Sequence, residues 1–272
     1  MNVTSLGYQT DFMLAKFDGT VEDHPHYVAV QTPTSPLYWW GNFILFDHAP
    51  RSDDAERWEA IFANEIGRGP GIRHVKLAWD TTVGTIGATE PFLARGYTLS
   101  RDVFLFSSGA QGQDGATSER AISDVEVRPV DGDQEWEMAL QNQHRCLGDN
   151  DTPEFRKFQA DQMMRYRKMV AASFGFWVGA FVGGRLVADM GIFGNRSLAR
   201  CQAIGTDPDF RGRGIAAMMI RGACKLAREA LAANTIVIMT GEEHPARRLY
   251  ERLGFMAAEH GASLARRTNT PL

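Results

Sequence analysis

The stretch IGTDPDFRGRGIA, residues 204–216, carries the chain from a strand-like run into a helix-like one through two arginines and two glycines. Before it, ARCQAIGT (199–206) reads as a strand. After it, GIAAMMIRGACKLAREALA (214–232) reads as a helix whose apolar face is expected to carry Ile215, Met218, Met219, Gly222, Ala223, Leu226 and Ala230. A glycine-bearing turn that opens a helix is an anion site on physical grounds. The first helical turn leaves backbone N–H groups unpaired, and the helix dipole adds partial positive charge there. Gly212 and Gly214 let that backbone approach a ligand without a Cβ in the way, Arg211 and Arg213 add formal charge, and Ala216 keeps the helix shoulder low.

Several ligands fit such a turn. A triphosphate-hydrolysing loop needs GxxxxGK[ST], which is absent. A dinucleotide turn fits loosely, as Gly212-x-Gly214-x-x-Ala217, but its glycines should follow the strand directly, and here DPDFR intervenes. A solvated turn with no ligand stays open as well.

The rest of the chain narrows the classes. Its 272 residues are 44% apolar with a net charge of −4, so it has globular composition and no electrostatic footprint for nucleic acid. Cys146, Cys201 and Cys224 lack CxxC spacing, which argues against a disulfide framework or a cysteine-rich zinc site and fits a reducing compartment. The start, MNVTSLGYQTDFMLAKF, has no signal-peptide pattern, and a cytoplasmic protein is expected. The most apolar window, 170–194, is broken by Gly179, Gly183, Gly184, Arg185 and Asp189. It is predicted to be two strands around a Gly183-Gly184 turn, not a membrane span. His24-Pro25-His26 has no carboxylate or third ligand at a helpful spacing and reads as a loop, so no metal is expected.

Two lobes share one rhythm. SSGAQGQDGATSERAISD (107–124) is small and polar, which predicts a first lobe over 1–110, a linker over 111–121 and a second lobe over 122–272. In the second lobe TIVIMTG (235–241) reads as a strand and HPARRLYERLG (244–254) as a helix. In the first, GNFILFD, DDAERWEAIFANEI, HVKLAWD, TEPFLARG and YTLSRDVFLF alternate strand and helix, as a degenerate internal repeat would.

The segment 204–216 resembles the pyrophosphate-binding motif of the GNAT superfamily, the GCN5-related N-acetyltransferases, written [Q/R]-x-x-G-x-[G/A] and met by Arg211, Gly214 and Ala216. HPARRLYERLGF (244–255) is similar to the family's terminal LYxxLGF helix. The resemblance implies an α/β fold of two GNAT-like lobes, each a mixed, mostly antiparallel central sheet flanked by helices. It implies acetyl-CoA as acyl donor and an amine as acceptor, with no nucleic acid, membrane or metal partner; a homodimer is left open. The backbone of Ile204, Gly205 and Thr206 would pair with the pantetheine, and the amides of Arg211, Gly212, Arg213, Gly214, Ile215 and Ala216 would hold the pyrophosphate. Tyr250 matches the tyrosine that protonates the departing thiolate. Two departures stand out: Glu243 replaces an asparagine common seven residues before that tyrosine, and Gln202 lies where some members place a basic glutamate. Glu243 is therefore a candidate for handling the ammonium proton, with Glu242, a water chain or a first-lobe group as alternatives.

In the first lobe, PFLARGY sets Phe92 opposite Tyr250, and DHAPRSDDAE (47–56) replaces the glycine turn with Asp53, Asp54 and Glu56, so this lobe should not bind coenzyme A. Tyr38, Trp39, Trp40 and Asn42, and the acidic loop Asp149-Asn150-Asp151, are candidates for acceptor contact, with core packing and a plain surface loop as the alternatives. A non-catalytic acyl-CoA sensor needs the same turn but no acid, and stays the alternative function.

Overall fold

The computed structural model describes residues 1–108 and 124–268, so the expected linker lies outside the described residues. In chain order the elements of the first half are α1 (Leu6–Ala15), β1 (Thr20–Asp23), β2 (Tyr27–Gln31), β3 (Phe43–Phe46), α2 (Asp54–Phe62), β4 (His74–Trp79), α3 (Glu90–Leu93) and β5 (Thr98–Ser108). There follow β6 (Val125–Pro129), α4 (Gly132–Arg145), α5 (Pro153–Ala171), β7 (Gly175–Val182), β8 (Arg185–Gly194) and β9 (Leu198–Thr206). The last elements are α6 (Ile215–Ala230), β10 (Thr235–Gly241), α7 (Ala246–Arg252) and β11 (Met256–Arg267).

The chain forms two compact units that are not consecutive stretches of sequence. Unit 1 takes Met1–Leu105, Met239–Arg247 and Ala257–Leu272, and unit 2 takes Phe106–Ile238 and Arg248–Met256. The last strand is thus a member of the first unit, where β11 pairs with β4 antiparallel, from Ser263↔Ala78 to Arg267↔His74.

Unit 2 has the strand order β10-β9-β8-β7-β6, antiparallel except for the β9/β10 pair. The 170–194 window is the expected hairpin: Gly183 and Gly184 take φ of 54° and 81°, the left-handed values a tight hairpin turn requires. Trp136 of α4 and Tyr166 of α5 pack on Trp177 of β7, with ring centroids 5.9 and 5.0 Å apart. The helix after the glycine turn forms as expected, but its buried stripe is Ile215, Met219, Ile220, Ala223, Cys224 and Ala227. Met218 and Leu226 are half-buried and Ala230 is exposed, which corrects the expected face. The helix is apolar over more than half its circumference, so periodicity alone could not fix its rotation.

Unit 1 has the order β1-β2-β3-β4-β11-β5, with β3 and β4 its parallel pair. Its core gathers Ile44, Phe46, Trp58, Phe62, Leu77, Trp79 and Phe92. Glu259 of β11 caps α1, accepting from Ser5 Oγ at 2.7 Å and from the Leu6 and Gly7 amides at 2.9 and 3.0 Å. Among the described residues no helix is long and apolar enough to cross a membrane.

Candidate functional site

In unit 2 the strand before the glycine turn outruns its parallel neighbour. β9 pairs with β10 only from Leu198↔Thr235 to Arg200↔Val237, while β9 itself continues to Thr206. Among the described residues, only the β8 side of Cys201–Thr206 is paired, so there Ile204, Gly205 and Thr206 keep one backbone edge free of a strand. Ile204 and Thr206 are half-buried and Gly205 is buried.

The turn is built around Asp207. Its carboxylate accepts from Arg145 at 2.9 and 3.0 Å, from Arg185 at 2.7 Å and from the Asp209 amide at 3.0 Å. Burial alone would raise its pKa, but these donors outweigh it and hold the carboxyl below its ordinary range. Pro208–Phe210 forms a short 3-10 turn, after which Gly212 and Gly214 take φ of 74° and 76°. A side chain at either position would have to adopt the left-handed region, which explains the two glycines. Gly214 is the N-cap of α6 and supplies no side-chain cap. Among the described residues none accepts a hydrogen bond from the amides of Gly212 to Ala217, and the first helical bond runs from the Met218 amide to the Gly214 carbonyl.

The arginines do more than add charge. Arg211 Nε donates to the Thr206 carbonyl at 3.1 Å, and Arg213 donates to the Asp209 carbonyl at 2.9 Å while lying 5.0 Å from the Phe210 ring centre. Both staple the turn to itself, yet both are exposed and keep donors free. Ile215 points into the core and Ala216 is half-buried, so these two positions can offer a ligand their backbone only.

Tyr250 lies on α7 in unit 2 and is 7% exposed. Burial, and secondarily the charge that a Cys201 thiolate would carry, pushes its pKa up to about 12, so the phenol is protonated through the neutral range. Cys201 follows the last β9/β10 pair directly, and Cys224 beside it, together with burial, raises its pKa. Their spacing, 23 residues apart, carries no signal that relates them.

Glu243 is exposed and, among the described residues, has no hydrogen-bond or ion-pair partner. It falls in the 239–247 segment of unit 1, whereas Tyr250 belongs to unit 2. Glu242 is engaged within unit 1, by Arg101 Nε at 2.9 Å and His260 Nδ1 at 3.4 Å. Other expectations resolve locally. Asp151 is held by Arg156 of α5 at 2.5 and 2.7 Å, an exposed pair. Trp39 and Trp40 form a 3-10 turn, not a strand; Trp39 stacks on His74 at 5.2 Å, and the buried Asn42 carboxamide ties the turn by accepting from the Thr32 amide. The structure does supply His24 with carboxylates the spacing did not suggest: ligand atoms of Glu22, His24 and Glu65 lie within 4.8 Å of one another, with Glu22 solvent-exposed.

A strand freed from its parallel neighbour, the glycine turn and a protonated phenol all lie in unit 2 of a mixed α/β fold. Residues 136–255 match the model of the Acetyltransferase (GNAT) family. Among solved structures, a functionally unknown conserved protein from Staphylococcus epidermidis is similar at TM-score 0.70 and 12% identity, over 92% of this chain and 95% of that one. A GCN5-related N-acetyltransferase from Kribbella flavida is similar at TM-score 0.64 and 15% identity, over 96% of each chain. A tandem GNAT protein from the clavulanic acid biosynthesis pathway is similar at TM-score 0.58 and 10% identity, over 99% of this chain and 90% of that one. At these identities the likeness is one of fold. No curated protein matches the sequence. Residues 136–255 are thus similar to the GNAT acetyltransferase family, and the fold of the chain is similar to that of a tandem GNAT protein.

Proposed function

We propose that unit 2 takes an acetyl group from acetyl-CoA and transfers it directly to a primary amine of a small molecule or peptide. The observation that carries this reading is the set of amides from Gly212 to Ala217, without an acceptor among the described residues, following a strand that has left its parallel neighbour. The residues fit the donor. A diphosphate would find the vacant N–H groups, the helix dipole and the spare guanidinium donors of Arg211 and Arg213 together. The free edge of Ile204, Gly205 and Thr206 would pair with the amides of the pantetheine arm.

Bound acetyl-CoA supplies a thioester carbonyl open to attack by an amine. Tyr250, holding its proton below about pH 12, would donate it to the departing sulfur. Glu243, exposed and without a partner among the described residues, is the candidate for taking the ammonium proton of the acceptor. Its support is its charge and its freedom, since Glu242 is already engaged by Arg101 and His260. The first lobe, expected over 1–110, is read as a silent copy, and the free cysteines fit a reducing, cytoplasmic setting.

Isothermal titration of acetyl-CoA into the intact chain tests the reading. Saturable heat is expected, with loss of binding in Arg211→Glu; no heat at millimolar ligand would end it. Release of free thiol with a panel of amines separates enzyme from sensor. Turnover that falls in Tyr250→Phe supports transfer, whereas binding without turnover, indifferent to that substitution, supports the sensor.

A further inference from the structure

Unit 2 buries one carboxylate that the chemistry above does not use. Asp189 lies in the apolar run LVADMGIF of β8 and is 0% exposed. Asn142 and Gln143 of α4 donate to its Oδ1 at 2.5 and 2.9 Å, and Trp177 Nε1 donates to its Oδ2 at 2.8 Å. Such a group is costly to bury, and three donors aimed at one carboxylate mark a built arrangement.

The arrangement reaches the freed strand. The Gln143 nitrogen that donates to Asp189 also donates to the Ala203 carbonyl, at 2.8 Å. Ala203 has φ of 48°, a left-handed conformation that strains a non-glycine residue. The β8/β9 register slips here: Asp189 faces Gly205, but Gly191 faces Gln202, so two steps along β8 oppose three along β9. The extra residue lies within Ala203–Ile204, in the part of β9 that has left β10. Gly205 keeps α4 close, because a Cβ there would stand 3.1 Å from both Gln143 Nε2 and Cys146 Sγ.

We propose that Asp189 and Gln143 are positioning residues: the anchored carboxylate fixes the Gln143 carboxamide, which pins the Ala203 carbonyl toward α4 and so sets the direction of the backbone groups on the free edge of β9. Bulges re-aim a strand locally, and this one is held from the side by a helix. The ligand that would meet that edge rests on the proposed function; the clamp itself does not.

Two measurements on the full chain test it, using wild type, Gln143→Ala and Gln143→Ala/Ala203→Gly. Glycine adopts positive φ freely, so Ala203→Gly removes the strain the clamp opposes. Amide hydrogen exchange over 202–206 is expected to rise about tenfold in Gln143→Ala and to return most of the way in the double variant. Acetyl-CoA affinity, read by calorimetry, is expected to fall about tenfold and recover in the same order. A role in packing alone predicts a lower melting temperature that glycine at 203 does not repair. Unchanged exchange in Gln143→Ala, or a loss the glycine fails to rescue, overturns the clamp. If wild type does not bind acetyl-CoA, the functional reading fails and the exchange arm alone still decides the clamp. Gln143→Met, which keeps the volume, replaces Gln143→Ala should that variant not fold.

Discussion

Each unit has a parallel strand pair leading to a helix, and the two pairs end differently. In unit 1 β3 and β4 stay paired to their ends, Phe46↔Trp79, and the Asp80 amide adds a further bond to the Phe46 carbonyl at 2.8 Å. Trp58 lies flat on Phe46 with centroids 3.8 Å apart, packing that end with rings. In unit 2 pairing stops at Arg200↔Val237 and β9 runs on alone. The helix starts differ in the same sense. Asp54 is buried at the mouth of α2, where its carboxylate accepts from the Arg51 amide at 2.8 Å, Arg57 at 2.5 Å and His48 at 3.2 Å. α6 begins at a glycine and has no such group. One helix brings its own anion; the other leaves the place vacant. The two helix starts thus differ in a few residue types: a buried, fully engaged carboxylate at one and a left-handed glycine at the other.

The comparison can be broken most directly at Gly214. Gly214→Val puts a β-branched residue at φ 76°, and acetyl-CoA binding should vanish from calorimetry while far-UV circular dichroism is retained. Next in size, Tyr250→Phe should lower turnover about a hundredfold, as loss of a general acid does, with acetyl-CoA affinity within about twofold of wild type. A drop in affinity equal to the drop in turnover would remove the phenol from the chemistry. Asp54→Ala in the sealed lobe should cost about 2 kcal/mol through the donors it strands, seen as a lower melting temperature. It should create no second acetyl-CoA site, so the titration stoichiometry stays at one per chain; a second site would show that the carboxylate was all that closed unit 1.

The smallest effect is a pH dependence. Burial pushes the Asp189 carboxyl up to about 7, against the opposing pull of its three donors. Between the unfolded value near 4 and that figure the folded chain holds a proton the unfolded chain has lost, so this contribution to stability falls as pH rises through the window. His74, lowered to about 4 chiefly by burial and also by Lys76, contributes the opposite slope from about 4 to 6.5. The wild-type melting curve alone therefore mixes the two. The melting temperature of wild type relative to Asp189→Asn should fall from pH 5 to pH 7.5, and a flat difference would place the proton elsewhere.

Much of this was legible in the chain. The glycine turn, the long helix behind it, the hairpin at Gly183-Gly184 and the helix bearing Tyr250 each rest on local chemistry: a left-handed glycine, a helix start, a run of apolar residues. The clamp was not legible, because Asn142, Gln143 and Ala203 are ordinary residues whose relation exists only once α4 lies on the sheet. Asp189 did leave a trace, as a single carboxylate in an apolar strand, and was read only as a break in a membrane span. The buried face of α6 and the gathering of Glu22, His24 and Glu65 were hidden for a like reason: tertiary packing chose among options the sequence left equal.

The cap that Glu259 places on α1 has a consequence for assembly. The lobe encoded first lacks both the capping carboxylate and an interior strand until residues 257–267 have been synthesised, whereas the sheet of the other lobe is complete in sequence by β10. Closing so long a loop delays the early lobe, so on the ribosome the later-encoded sheet should mature first. Protease resistance on stalled nascent chains would then appear in reverse of genetic order.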